Sequence, residues 1–157
     1  MIELSLICNT KHWPVRLNKV SKIINSIMNF KNELKFNKKI NYCCNIILTN
    51  DKLIKKMNYK YRKKNIPTDV LTFVSEVNSI KNKKQKICDI FLSAECIKKD
   101  ASKNKISFYN HLSHLLIHSF LHINGFNHRK AKDFYIMKKK EIYILSKLQI
   151  SNPYLIN

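Results

Sequence analysis

Over its first eight residues the chain alternates apolar and polar positions and then runs apolar, through Ile2, Leu4, Leu6, Ile7 and Cys8. That pattern predicts a strand over 2–8. His12-Trp13-Pro14 then breaks the chain. From 17 to 34, Val20, Ile23, Ile24, Ile27, Met28 and Phe30 recur at helical spacing among lysines and asparagines, which predicts an amphipathic helix. Residues 43–49, Cys-Cys-Asn-Ile-Ile-Leu-Thr, read as a second strand. Asn50 and Asp51 can cap a helix over 51–63. Its apolar face carries Leu53, Ile54, Met57 and Tyr61, and its other face Lys52, Lys55, Lys56, Lys60 and Lys63. Pro67 ends that region, and Val70–Val74 reads as a short strand. The lysine-rich stretch 77–86 reads as a loop, and Ile87–Ser93 as a fourth strand. Helices are expected over 94–101, 107–124 and 131–149. No repeat and no Gly/Ser/Pro linker interrupts the series, so a single domain over 1–157 is expected. Interleaved strands and helices followed by helices predict an α+β fold. It would have a single mixed four-stranded sheet flanked by about five helices.

The segment 107–124 differs from the other helices. Phe108, Leu112, Leu115, Leu116, Ile117, Phe120, Leu121 and Ile123 make it apolar nearly all round, as a helix in a protein interior is. At about 100° per residue, His111, His114, His118 and His122 fall in one stripe roughly 80° wide. Neighbouring imidazolium ions repel in a low dielectric, so some of these rings should be neutral, the form that binds transition metals. Just beyond lies Gly125, the only glycine in the chain, and then His128. A glycine there can take the left-handed conformation that ends a helix and turns the chain back. That turn would bring His128 toward His118 and His122. His114 lies a turn further off. His118, His122 and His128 are therefore the expected metal ligands, at the end of a buried central helix. His114 would orient a ligand or contact substrate, and His111 reads as an ordinary surface histidine. Three nitrogens and one open position make a catalytic zinc arrangement.

Composition then narrows the chemistry. Thirty basic against ten acidic residues give a formal net charge of +20. Such a field attracts polyanions, nucleic acid above all. The lysine, asparagine and isoleucine richness is equally what A/T-rich codons produce, so charge supports an RNA partner without establishing one. Five cysteines, Cys8, Cys43, Cys44, Cys88 and Cys96, form no CxxC pair and are odd in number, as reduced thiols of a cytosolic protein are. No run of about 18 apolar residues predicts a membrane span, and the start lacks a signal-peptide pattern. Zinc peptidases with this histidine spacing read HExxH, with glutamate as general base. Ser119 stands at that position and cannot be that base, which disfavours peptide hydrolysis. Phosphodiester cleavage depends instead on cations that stabilise the charge developing on phosphorus.

The segment from His114 to His128, HLLIHSFLHINGFNH, resembles the signature HLxxHGxLHLxGYDH of the YbeY family of metal-dependent endoribonucleases that mature ribosomal RNA. A second block, Tyr61-Arg62-Lys63 through Pro67-Thr68-Asp69-Val70-Leu71-Thr72-Phe73, is similar to that family's YRxKDxPTDVLSFP. Cys88-Asp89-Ile90, Glu141 and Asn152-Pro153-Tyr154 match its further pattern. Ser119, Asn127, Asn65, Cys88 and Gln149 depart from it; Asn127 removes a carboxylate that could tune His128.

The resemblance implies a sheet flanked by helices, with one zinc ion per chain at one end of a cleft. It implies that Arg62 faces the cleft and acts in catalysis; His114, from its place in the histidine stripe, is the second expected catalytic residue. Thr68 and Asp69 read as holding the turn into the next strand. The expected activity is single-strand-specific cleavage of ribosomal RNA precursors, in 16S 3′ end processing and ribosome quality control. A monomeric cytoplasmic enzyme meeting the small ribosomal subunit is expected. A non-catalytic ribosome-assembly factor with a structural metal, and a zinc hydrolase of another substrate, are the alternatives.

Overall fold

The structure, a computed structural model, describes residues 1–11, 13, 16–78 and 83–155. His12 and Pro14 of the expected chain break lie outside them. Four strands and five helices follow in the order β1 (Ile2–Cys8), α1 (Leu17–Met28), β2 (Asn41–Thr49), α2 (Asp51–Arg62), β3 (Val70–Asn78), β4 (Lys84–Ser93), α3 (Ala94–Lys103), α4 (Phe108–Ile123) and α5 (Ala131–Lys147).

The strands form one mixed sheet in the order β1-β2-β4-β3. β1 and β4 each run parallel to β2, and β3 runs antiparallel to β4. The two central strands carry the buried apolar runs, Cys44, Ile46 and Leu48 on β2 and Cys88, Ile90 and Leu92 on β4. Buried and part-buried positions alternate along most of both strands, so these residues share the face turned to the core. Cys44, Ile46, Leu48, Ile90 and Leu92 share one core with Leu112, Leu116 and Phe120 of α4 and with Ile144 and Leu145 of α5. α2 packs against β3 and β4, with Ile54 fully buried. α4 touches α1, α3, α5 and β3, the central position its all-round apolar surface calls for.

Three boundaries differ from the expectation. Within the loop expected over 77–86, β3 continues to Asn78 and β4 begins at Lys84; positions 79–82 of that loop lie outside the described residues. This outer part of the ribbon is mostly exposed, so no apolar face marks it in the sequence. Backbone pairing extends it, and Lys86 meets Glu76 across the ladder at 3.6 Å. The helix expected over 17–34 stops at Met28, and 29–35 continue as turns that still bury Leu34. α5 stops at Lys147, where Gln149 takes a left-handed conformation. The apolar period carries past both ends because the following turns also contribute to the core.

Candidate metal centre

α4 starts at Ser107, whose hydroxyl accepts the Asn110 amide N–H at 3.1 Å. It ends in a Schellman turn. The Phe126 N–H donates to Leu121 C=O at 3.1 Å, and the Gly125 N–H donates to His122 C=O at 3.0 Å. Gly125 has φ +92. Among the described residues four others have positive φ: Lys35, Lys63, Lys105 and Gln149, at 55 to 64 degrees. Those four sit in the left-handed well that an L-residue can enter at some cost. Gly125 lies beyond it, and there the one glycine of the chain is found. A Cβ at 125 would meet nothing within 4 Å, so the demand is purely one of backbone angle.

The turn also sets the chemistry of His122. The Nδ1–H of His122 donates to the Phe126 carbonyl at 2.8 Å, which leaves Nε2 as the bare nitrogen. On His118 a carboxylate does the same: Nδ1–H donates to Glu141 Oε1 at 2.5 Å, again leaving Nε2 bare. These two Nε2 atoms face each other at 2.9 Å. With both Nδ1 positions protonated, two lone pairs point at one spot, which a shared proton or a metal ion can occupy. His128 closes the third side. Its ring lies 5.5 Å from that of His118 and 5.0 Å from that of His122. One ring nitrogen from each of the three lies within 4.8 Å of the other two. The donor set therefore fits a divalent transition ion. Imidazoles held by a backbone carbonyl and a carboxylate are the usual support of such a site.

Glu141 is the carboxylate behind the site. It is only 1% exposed on α5 and also receives the Nε2–H of His114 at 2.8 Å and the Tyr154 hydroxyl. Burial alone would raise its pKa. The hydrogen bonds from His114 and His118, the His114 charge and the Tyr154 bond outweigh burial and bring it down to about 2. Burial raises the Tyr154 hydroxyl, and its bond to the carboxylate raises it further. His122 is held down to about 4 by burial first and by the neighbouring His118 second, so its ring is neutral at pH 7.

The structure thus brings His118, His122 and His128 together. It sets His114 one turn back, on Glu141 and near the Tyr154 ring at 5.5 Å. His111 is buried, not a surface residue, because it lies beneath the entry to β3, near Asp69. Arg62 is exposed in the last turn of α2, and no hydrogen bond or ion pair among the described residues joins it to the histidines. Its neighbour Tyr61 packs on Phe73 of β3, with ring centres 4.8 Å apart. Thr72 of the same strand donates to the buried Ser119 hydroxyl on α4 at 2.9 Å. Ser119 thereby fastens the helix to the sheet. Asn127 accepts the Arg129 N–H at 3.2 Å and serves the turn. Glu141 is the residue for which sequence reasoning found no role. Its signal was present: it falls in the apolar series Met137, Glu141, Ile144, Leu145, where a lone carboxylate needs a buried partner.

The sequence profile described as Endoribonuclease YbeY matches residues 6–149. Among curated relatives, an Endoribonuclease YbeY of Ehrlichia chaffeensis is 37% identical, over 98% of this chain and 97% of its own length. One from Pelagibacter ubique is 36% identical, over 96% of this chain and all of its own length. The solution structure of TM1509 from Thermotoga maritima shares the fold, with a TM-score of 0.58 at 20% identity, covering 95% of this chain and 92% of that one. With the histidine cluster and these matches together, the chain belongs to the YbeY endoribonuclease family.

Proposed function

We propose that the chain is a metal-dependent endoribonuclease cutting single-stranded segments of ribosomal RNA precursors. The observation that carries the reading is the pair of bare Nε2 atoms on His118 and His122, 2.9 Å apart, with His128 alongside. Relatives at 34–43% identity bear the name endoribonuclease. Zinc is the proposed ion, because three imidazoles with an open fourth position suit it. Bound there, it would supply a Lewis acid beside the scissile phosphate. His118, His122 and His128 hold the ion. Glu141 fixes the His118 tautomer, and His114 acts by positioning Glu141. Arg62, on an exposed helix end, neutralises charge on the phosphate. Lysines over 52–64 and 129–140 carry the RNA backbone. The proposed setting is 16S 3′ end maturation and ribosome quality control, by one cytoplasmic monomer of a single domain at the small subunit.

The test is metal content by mass together with cleavage of a ribosomal RNA precursor, before and after chelation. About one zinc per chain and cleavage lost on chelation and in His118→Ala are expected. Cleavage that survives both overturns the mechanism. RNA binding without cleavage in the zinc-loaded chain identifies an assembly factor instead.

A further inference from the structure

A second group of metal-type donors lies away from the three histidines. Asp69, Asp100 and His111 each offer a ligand atom, all within 4.8 Å of one another. They come from three elements: the entry to β3, α3 and the first turns of α4. His111 precedes His118 by seven residues, about 10 Å along the helix axis, so the two groups do not share an ion.

The histidine points to a ligand. It is 8% exposed, its Nε2 is buried, and no hydrogen bond reaches that atom. Asp69 Oδ2 lies 3.6 Å away, within ion-pair reach but longer than a hydrogen bond. A buried imidazole nitrogen without a hydrogen bond is costly. The opposing atoms are prepared for a cation. Asp69 Oδ1 accepts the Val70 amide at 2.8 Å and the Thr68 hydroxyl at 3.3 Å, so Oδ2 is left free toward His111. Among the described residues no lysine or arginine forms an ion pair with Asp69 or Asp100, in a chain carrying 30 of them. Cys96, on α3, has its thiol pushed up to about 12, by burial first and then by Asp51, Asp100 and Asp69.

We propose that Asp69, Asp100 and His111 form a second divalent-cation site, for a hard ion such as Mn²⁺. Two carboxylates and one imidazole make a harder donor set than three imidazoles, which suits Mn²⁺. Metal–ligand bonds of about 2.1 Å bring donors within roughly 4 Å of one another, so small side-chain shifts close the site. An ion there ties α3 and the start of α4 to the entry of β3, the strand whose Thr72 bonds Ser119 on α4.

The test loads the full chain with one equivalent of Zn²⁺ and titrates it with Mn²⁺, counting bound Mn²⁺ by electron paramagnetic resonance. Zinc outranks manganese at nitrogen-rich sites, so the three histidines keep zinc. The expected result is one Mn²⁺ per chain. Asp100→Asn and Asp69→Asn, both isosteric, are each expected to weaken it by at least about tenfold, with unchanged zinc content and circular dichroism. No Mn²⁺ uptake by the zinc-loaded wild-type chain overturns the site and leaves a His111–Asp69 ion pair. Uptake that either substitution leaves unchanged overturns it as well.

Discussion

Glu141 shows what one buried charge does at the residue scale. It joins His114, His118 and Tyr154 into one network and dictates which nitrogen of His118 is bare. Glu141→Gln keeps the shape and removes the charge. It should weaken Zn²⁺ binding by about 10–100-fold, the usual effect of losing such a support. Competition against a chromophoric chelator measures this, and wild-type affinity in the variant would refute the role. The same network makes the metal-free chain acid-sensitive. His122 has a folded pKa of about 4, below its ordinary 6.5, and Glu141 one of about 2, below its ordinary 4.5. Both are depressed, so the unfolded chain takes up protons first as pH falls. The stability they contribute is complete above about pH 6.5. It declines as pH drops, through His122 first and Glu141 afterwards. Urea midpoints of the metal-free chain should therefore fall between pH 7 and pH 4, and a flat profile would contradict this.

At the scale of the element, helix ends separate Gly125 from the other left-handed positions. Lys35, Lys63, Lys105 and Gln149 hold φ of 55 to 64 degrees without glycine. Each carries left-handed strain of about 1–2 kcal/mol, partly offset by the lower entropy of a non-glycine unfolded chain. Lys105→Gly and Gln149→Gly should each stabilise by about 0.5–1 kcal/mol, read as a shift in denaturation midpoint. Gly125→Ala should go the other way, by about 1–3 kcal/mol, through backbone strain with no clash. It should also weaken metal binding, since the turn supplies the carbonyl that orients His122. Equal effects at 105 and 125 would refute the distinction. The amphipathic helices and central strands were legible because burial writes a period into sequence. The outer β3–β4 ribbon was not, because both of its faces meet solvent there and pairing is a property of backbone.

For the whole molecule, the charge of +20 is the dominant field. Single-stranded RNA binding should weaken steeply with salt, by about 100-fold from about 50 to about 200 mM for roughly five phosphate contacts. Filter binding across that range measures it, and salt-independent affinity would remove the lysines from the interface. The structure describes no helix long and apolar enough to cross a membrane. By itself the sequence determined the α+β class, the buried central helix, and the grouping of His118, His122 and His128 around one glycine. These are local matters of period, spacing and backbone angle, which a short window of residues specifies. Tertiary structure decided the rest. It placed Glu141 of α5 behind the histidines of α4, set their tautomers, and buried His111 beside Asp69 and Asp100. Those relations join residues far apart in the chain, where only the packing of one element on another sets distance and protonation.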